Sequence, residues 1–171
     1  MRTSYLPEQQ MLLILAALTP GNRLVCRVML HTGLRVGDAV ALRRDQVARG
    51  RFTVTEAKTG KRRRIGLPTG LVAEILAAGD AKSPWAFPSP RNPEKHRTRQ
   101  AVWKDIKRAQ RAFRIPLNAG PHSLRKVYAV ELMRKYGDLR KVQRALLHSN
   151  DMTTLLYALA DRLPDPKNLL K

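Results

Sequence analysis

The chain has 171 residues, enough for one domain with its own hydrophobic core and too few for two ordinary domains joined by a linker. Lysine and arginine outnumber aspartate and glutamate by 33 to 13, and the resulting formal charge of +20 repels itself in any compact state. A polyanion relieves that repulsion, and nucleic acid is the leading candidate beside two blander readings, a ribosomal-type protein and one that adheres to anionic membranes, among which charge does not choose.

In chain order, Pro7 and Glu8 open a helix expected to run to about Leu18, with Leu12, Leu13, Ala16 and Ala17 as its apolar face. The apolar run Met11 to Leu18 is much shorter than the roughly 20 residues a membrane span needs, and no small-residue cleavage site follows it. Pro20-Gly21 stops this helix, a second covers Asn22 to His31, and a third runs from Val36 to Arg43 after the break at Gly33. Cys26, the single cysteine, excludes an intrachain disulfide and points to a reducing compartment, the cytoplasm beside the nucleoid.

Phe52 and Val54 alternate with Thr53 and Thr55 as a half-buried strand does, and Arg62 to Leu67 is its expected partner across the turn Lys58-Thr59-Gly60-Lys61. Helix resumes at Thr69 to Ala78. Pro84, Pro88, Pro90 and Pro93 then predict an irregular connector to about His96. Further helices are expected at Thr98 to Phe113, Ser123 to Tyr136, Leu139 to Leu147 and Met152 to Leu159. In the first of these Trp103, Ile106 and Phe113 form the expected buried stripe. His31 is expected in the core or at a cap and His96 in a loop. The whole predicts a single α+β domain, mostly α-helical with one small antiparallel β-sheet inserted early.

The chemistry concentrates toward the C-terminal end. His122 and Arg125 are three residues apart and share a helix face, so both can address one target. Attack on a phosphodiester loads negative charge onto its nonbridging oxygens, and the planar guanidiniums of Arg35 and Arg125 suit that charge because each can donate two hydrogen bonds. Tyr157 follows His148 by nine residues. A phenol of pKa about 10 is protonated at neutral pH and is a poor nucleophile without a base and a cationic pocket. Taken singly, Arg35 reads as a surface cation, Asp38 as a helix-face ion pair and Tyr157 as a packing residue beside Leu155, Leu156 and Leu159.

Read together, the box Thr32-Gly33-Leu34-Arg35-Val36-Gly37-Asp38, the hairpin lysine, His122-Ser-Leu-Arg125 and His148 to Tyr157 resemble the motifs of the tyrosine recombinase (phage integrase) family, in its order and over about Tyr5 to Ala160. The resemblance implies that family's DNA breaking-rejoining catalytic-domain fold. It further implies that Arg35 and Arg125 contact the scissile phosphate, that Asp38 holds the polar cluster, and that His148 hydrogen-bonds the phosphate. His122 matches the acid-base residue, and Tyr157 attacks to form a 3′-phosphotyrosyl bond. Lys58 matches the general acid for the departing 5′-oxygen, with Lys61 as its rival. Lys61, Arg62, Arg63 and Arg64 are expected to contact the DNA backbone as a solvated basic turn, and Lys104, Lys107, Arg108 and Arg111 to follow the duplex from one helix.

Three features depart from the family pattern. Leu147 stands where a glycine usually precedes the second histidine, the tail after Tyr157 is short, and only two helices precede Arg35 where most relatives carry a DNA-clamping N-terminal domain. The sequence therefore predicts a single catalytic domain with no clamping domain in this chain, whether it stands alone or is a piece of a longer one. No metal or other cofactor is expected, because the four histidines and one cysteine fall at none of the close spacings of metal sites. The expected activity is site-specific DNA recombination or integration by a tetramer assembled on DNA. A type IB topoisomerase and a noncatalytic DNA-binding regulator are the alternatives.

Overall fold

The computed structural model describes residues 3–146; of the candidate site residues, His148 and Tyr157 lie outside that range, as does the helix expected at Met152 to Leu159. The first two helices are α1 (Glu8–Ala17) and α2 (Pro20–Thr32). Pro20 sits in the first turn of α2, where a missing N–H forfeits no helical hydrogen bond, so the Pro-Gly pair that ends α1 also starts α2. The buried face of α1 is not the expected one. Leu12 and Leu13 are exposed, whereas Ile14 and Leu18 are buried with Met11 and Leu15 packed beside them. An almost wholly apolar helix leaves its own phase open, and contact with α2 and the later helix α6 (Arg99–Ala112) decides it.

Helix α2 buries Leu24, Val25, Cys26, Val28 and Met29 at the centre of the core. Burial pushes the Cys26 thiol well above its ordinary pKa, so this cysteine is a packing residue. His31 is exposed in the last turn of α2 rather than in the core. The helix expected from Val36 to Arg43 ends early as α3 (Val36–Val40), and a short helix that was not expected, α4 (Arg44–Ala48), follows it. Between them the chain extends, because Ala86 N–H donates to the Leu42 carbonyl and Arg44 N–H to the Pro84 carbonyl, each at 2.9 Å. Those long-range bonds take groups a continuous helix would have used.

Strands β1 (Arg51–Thr55) and β2 (Arg62–Gly66) form the expected antiparallel hairpin, with Phe52 opposite Ile65 and Thr55 opposite Arg62. Helix α5 (Thr69–Ala78) follows. The expected irregular connector contains a second hairpin, β3 (Pro88–Ser89) with β4 (Asn92–His96). A two-stranded sheet has only edge strands, which tolerate proline. Trp85 Nε1–H donates to the Glu94 carbonyl at 2.9 Å, and its ring meets that of His96 edge-on at 4.9 Å, so His96 belongs to a strand and not to a loop.

Helices α6, α7 (Pro121–Tyr136) and α8 (Leu139–Ala145) complete the described fold. On α6 the buried stripe is Val102, Asp105, Ile106 and Ala109, while Trp103 and Phe113 are 46% and 43% exposed. Asp105 turns the helix: one of its oxygens accepts from Thr19 N–H at 2.9 Å and from the Thr19 hydroxyl and Asn22 amide at 2.8 Å each. Burial pushes this carboxyl up, but those bonds and one from Arg108 outweigh it and hold the pKa below the usual carboxylate value. Among the described residues no helix is long and apolar enough to cross a membrane.

Candidate active site

Helix α7 begins with Pro121, and the Ser123 hydroxyl accepts from Gly120 N–H at 3.2 Å while Ser123 N–H donates back to the Gly120 carbonyl at 2.9 Å. This closed first turn fixes two side chains one turn apart: His122 at the surface and Arg125 in the interior, only 1% exposed. The Arg125 guanidinium donates to the carbonyl of Gly33 and, at 2.8 Å, to that of Leu146. Its Nη1 also lies 3.9 Å from the Glu56 carboxylate. Gly33, Glu56 and Leu146 each stand two residues ahead of another candidate, respectively Arg35, Lys58 and His148. Burial, and then the like charge of Arg35, pushes the Arg125 pKa down to about 10, which leaves it a cation at neutral pH.

Gly33 makes the close approach possible. It caps α2 in the left-handed region at φ 64°, and a β-carbon there would fall 2.3 Å from the Tyr128 ring of α7. The chain therefore turns tightly enough to place Arg35 at the start of α3. One turn on, Asp38 is buried and accepts a 3.0 Å hydrogen bond from Ala57 N–H, tying α3 to the hairpin residue next to Lys58.

At the centre of the cluster stands a residue that the motif reading missed. Glu56 is 0% exposed, and its carboxylate pairs with Arg35, accepts from the Thr59 hydroxyl at 3.3 Å and lies 3.7 Å from Arg63. The signal for it is period two: Glu56 continues the inward series Phe52, Val54, so a carboxylate falls in phase with a core face. Arg63 is in phase with Ile65 in the same way, and its side chain is only 10% exposed. Arg63 is thus an interior cation, not part of the expected solvated turn, whereas Lys58, Lys61, Arg62 and Arg64 are exposed.

A cavity of about 490 Å³ opens over this cluster, lined by Arg35, Asp38, Lys58, Arg99, His122 and Arg125 among others. Arg99, the first residue of α6, is the second participant that the motifs did not mark. Four fixed cations and one imidazole around a water-accessible recess form a binding site for an oxyanion, with donors on separate elements that can surround it. No group of three or more His, Cys, Asp or Glu side chains able to hold a metal occurs among the described residues.

The remaining basic candidates divide. Lys104 and Arg111 are exposed on α6. Lys107 donates to Gln110 at 2.9 Å and Asn118 at 2.6 Å, and Arg108, with its side chain 56% exposed, grips Asp105 at 2.7 Å and the Ala17 carbonyl, so these two also brace the fold.

Similarity to known proteins agrees with this arrangement. The chain is 31% identical over 156 residues to the integrase of Escherichia phage P2, covering 91% of this chain and 43% of that protein. It is 35% identical over 144 residues to tyrosine recombinase XerD of Rhizobium meliloti, covering 78% of this chain and 46% of the relative. It thus spans about half the length of these relatives. The fold matches the catalytic domain of bacteriophage HP1 integrase with a TM-score of 0.67 at 22% identity, over 95% of this chain and 90% of that one. Because the model of the phage integrase family also matches residues 4–162, nearly the full length, this chain belongs to that family.

Proposed function

We propose that the chain is the catalytic domain of a site-specific DNA recombinase that cleaves and rejoins strands through Tyr157. The observation that carries the reading is the convergence of Arg35, Lys58, His122 and Arg125, from three distant stretches of sequence, on one cavity. A scissile phosphate held there receives hydrogen bonds from Arg35 and Arg125, which gain strength as charge builds on the nonbridging oxygens. His122 takes part in the proton transfers and His148 bonds the phosphate from the chain segment just beyond Leu146. Asp38 helps hold the polar cluster by tying α3 to the hairpin turn through Ala57.

In the forward step the Tyr157 oxygen bonds to phosphorus, its proton passes to a base, and the P–O5′ bond breaks as Lys58 protonates the departing 5′-oxygen. The 3′-phosphotyrosyl ester stores the bond energy, and attack by a 5′-hydroxyl from a second duplex reverses the chemistry. Two duplexes have four strands to cut and each chain offers one Tyr157, so complete exchange calls for four copies on DNA. The exposed Lys61, Arg62, Arg64, Lys104 and Arg111 hold the duplex by its phosphates without reading sequence. Such work places the protein at the nucleoid in the cytoplasm, where Cys26 stays reduced.

Denaturing electrophoresis of the protein with nicked duplex carrying the sequences that flank its own coding region tests the reading. A protein–DNA adduct that survives denaturation is expected. Binding without an adduct would leave a noncatalytic DNA-binding protein. An adduct that only reseals its own strand would leave a topoisomerase.

A further inference from the structure

The buried anion at the centre of the cluster is not accounted for by the phosphate chemistry itself. Arg35 and Arg125 line the cavity, but Glu56 and Arg63 do not, so the carboxylate meets both phosphate-facing arginines from behind. A fully buried carboxylate is retained only with compensating partners, and Glu56 has Arg35 and the Thr59 hydroxyl on one oxygen. The other oxygen stands between Arg63 at 3.7 Å and Arg125 at 3.9 Å, within ion-pair range of both but hydrogen-bonded to neither. Three arginines gathered without this charge would repel one another. With it, guanidiniums from the N-cap of α3, from β2 and from α7 are drawn toward a single point.

We infer that Glu56 is a positioning residue for strand cleavage, holding Arg35, and through charge Arg125, in the orientation that meets the scissile phosphate from the cavity side. Its backbone reinforces the arrangement: Glu56 N–H donates to the Lys61 carbonyl at 3.0 Å, and Gly60 N–H to the Glu56 carbonyl at 2.8 Å, closing the turn that carries Lys58. A single residue thereby joins the arginine pair to the hairpin. Glu56 is not among the residues that line the cavity, so phosphate can bind there while Glu56 stays in place.

This inference rests on the strand-cleavage reading, and single-turnover adduct formation on nicked duplex separates the two. Wild-type protein that yields no adduct sinks that reading and the role of Glu56 with it. If the wild type cleaves, Glu56→Gln, which keeps the shape and removes the charge, is expected to slow cleavage at saturating DNA about 100-fold, the scale of a misplaced reacting group. Its half-saturating DNA concentration should stay the same or fall, since a negative charge has left the phosphate site. Glu56→Asp restores the charge one methylene short and should recover part of the rate. In an Arg35→Lys background, Glu56→Gln should cost much less than in the wild type, because both act on one contact. A normal cleavage rate, a loss confined to binding, or an equal loss in both backgrounds would overturn the assignment. If circular dichroism shows that Glu56→Gln does not fold, Glu56→Asp with and without Arg35→Lys makes the same comparison under the same criteria.

Discussion

The guanidinium of Arg125 donates a 2.8 Å hydrogen bond to the carbonyl of Leu146, two residues ahead of His148 in the chain. Through this bond and its partner at Gly33, one buried side chain joins the end of α2 to the end of α8. Loss of Arg125 therefore reaches beyond the phosphate contact proposed for it. It also leaves two buried carbonyls without their donor.

Tyr157→Phe should retain folding and DNA affinity while abolishing the denaturant-resistant adduct, because only the nucleophilic oxygen is removed. Electrophoresis after sodium dodecyl sulfate reads this directly, and an adduct in the variant would exclude Tyr157. EDTA should leave wild-type cleavage unchanged. If chelation stopped it, a metal route would replace the arginine clamp.

DNA affinity should fall steeply with salt, each phosphate neutralised contributing roughly −0.9 to the slope of log affinity against log salt on duplex DNA. The structure divides the basic face of α6. Lys104→Ala with Arg111→Ala should flatten the slope by about 1.8 in all if both contact phosphates. Arg108→Ala should chiefly lower thermal stability, because its guanidinium is engaged with Asp105 and Ala17. A slope unmoved by the Lys104 and Arg111 pair would place the duplex on another face.

Lys58 and Lys61 flank the hairpin turn, and the leaving group distinguishes them. An alkyl thiol has a pKa of about 8.5 against roughly 15.7 for water, which sets the scale for an alkoxide, so a 5′-sulfur leaves without a proton. Lys58→Ala should be slow on ordinary DNA and largely rescued on 5′-phosphorothiolate DNA. Arg35→Ala should gain much less, since the charge on the nonbridging oxygens is still unmet. Lys61→Ala should mainly weaken binding. Sulfur rescue of Lys61→Ala but not of Lys58→Ala would reverse the assignment.

Asp105→Asn should destabilise the fold by about 2 kcal/mol at neutral pH, because charge-assisted hydrogen bonds to Thr19, Asn22 and Arg108 are lost or weakened together. The folded pKa of Asp105 is lowered, so its contribution is complete above the unfolded carboxylate value of about 3.9 and disappears as pH falls through the lower folded value. Urea unfolding of both proteins across that acid range should show their difference shrinking. A constant difference would mean that the charge of Asp105 does not matter.

Charge alone ranked nucleic acid first among polyanionic partners without choosing it, and the family was legible in short motifs whose residue types and order survive without any knowledge of packing. The β1–β2 hairpin was equally legible, because alternation and a Gly-containing turn are local properties. Phase was not local. Leu12 and Leu13 of α1 and Trp103 of α6 are as apolar as the residues buried beside them, and only contact between helices chose which side faces inward. The break between α3 and α4 likewise depends on a strand-like pairing with residues 84–86, some forty positions away. Glu56 and Arg63 had a periodic signal, yet Glu56 went unread and the charge of Arg63 placed it in a solvated turn; their burial became affordable only when Arg35 and Arg125 arrived from other segments. Residue chemistry thus determined what the site can do. Long-range packing decided which charges face the cavity, which lie behind it, and which serve the fold.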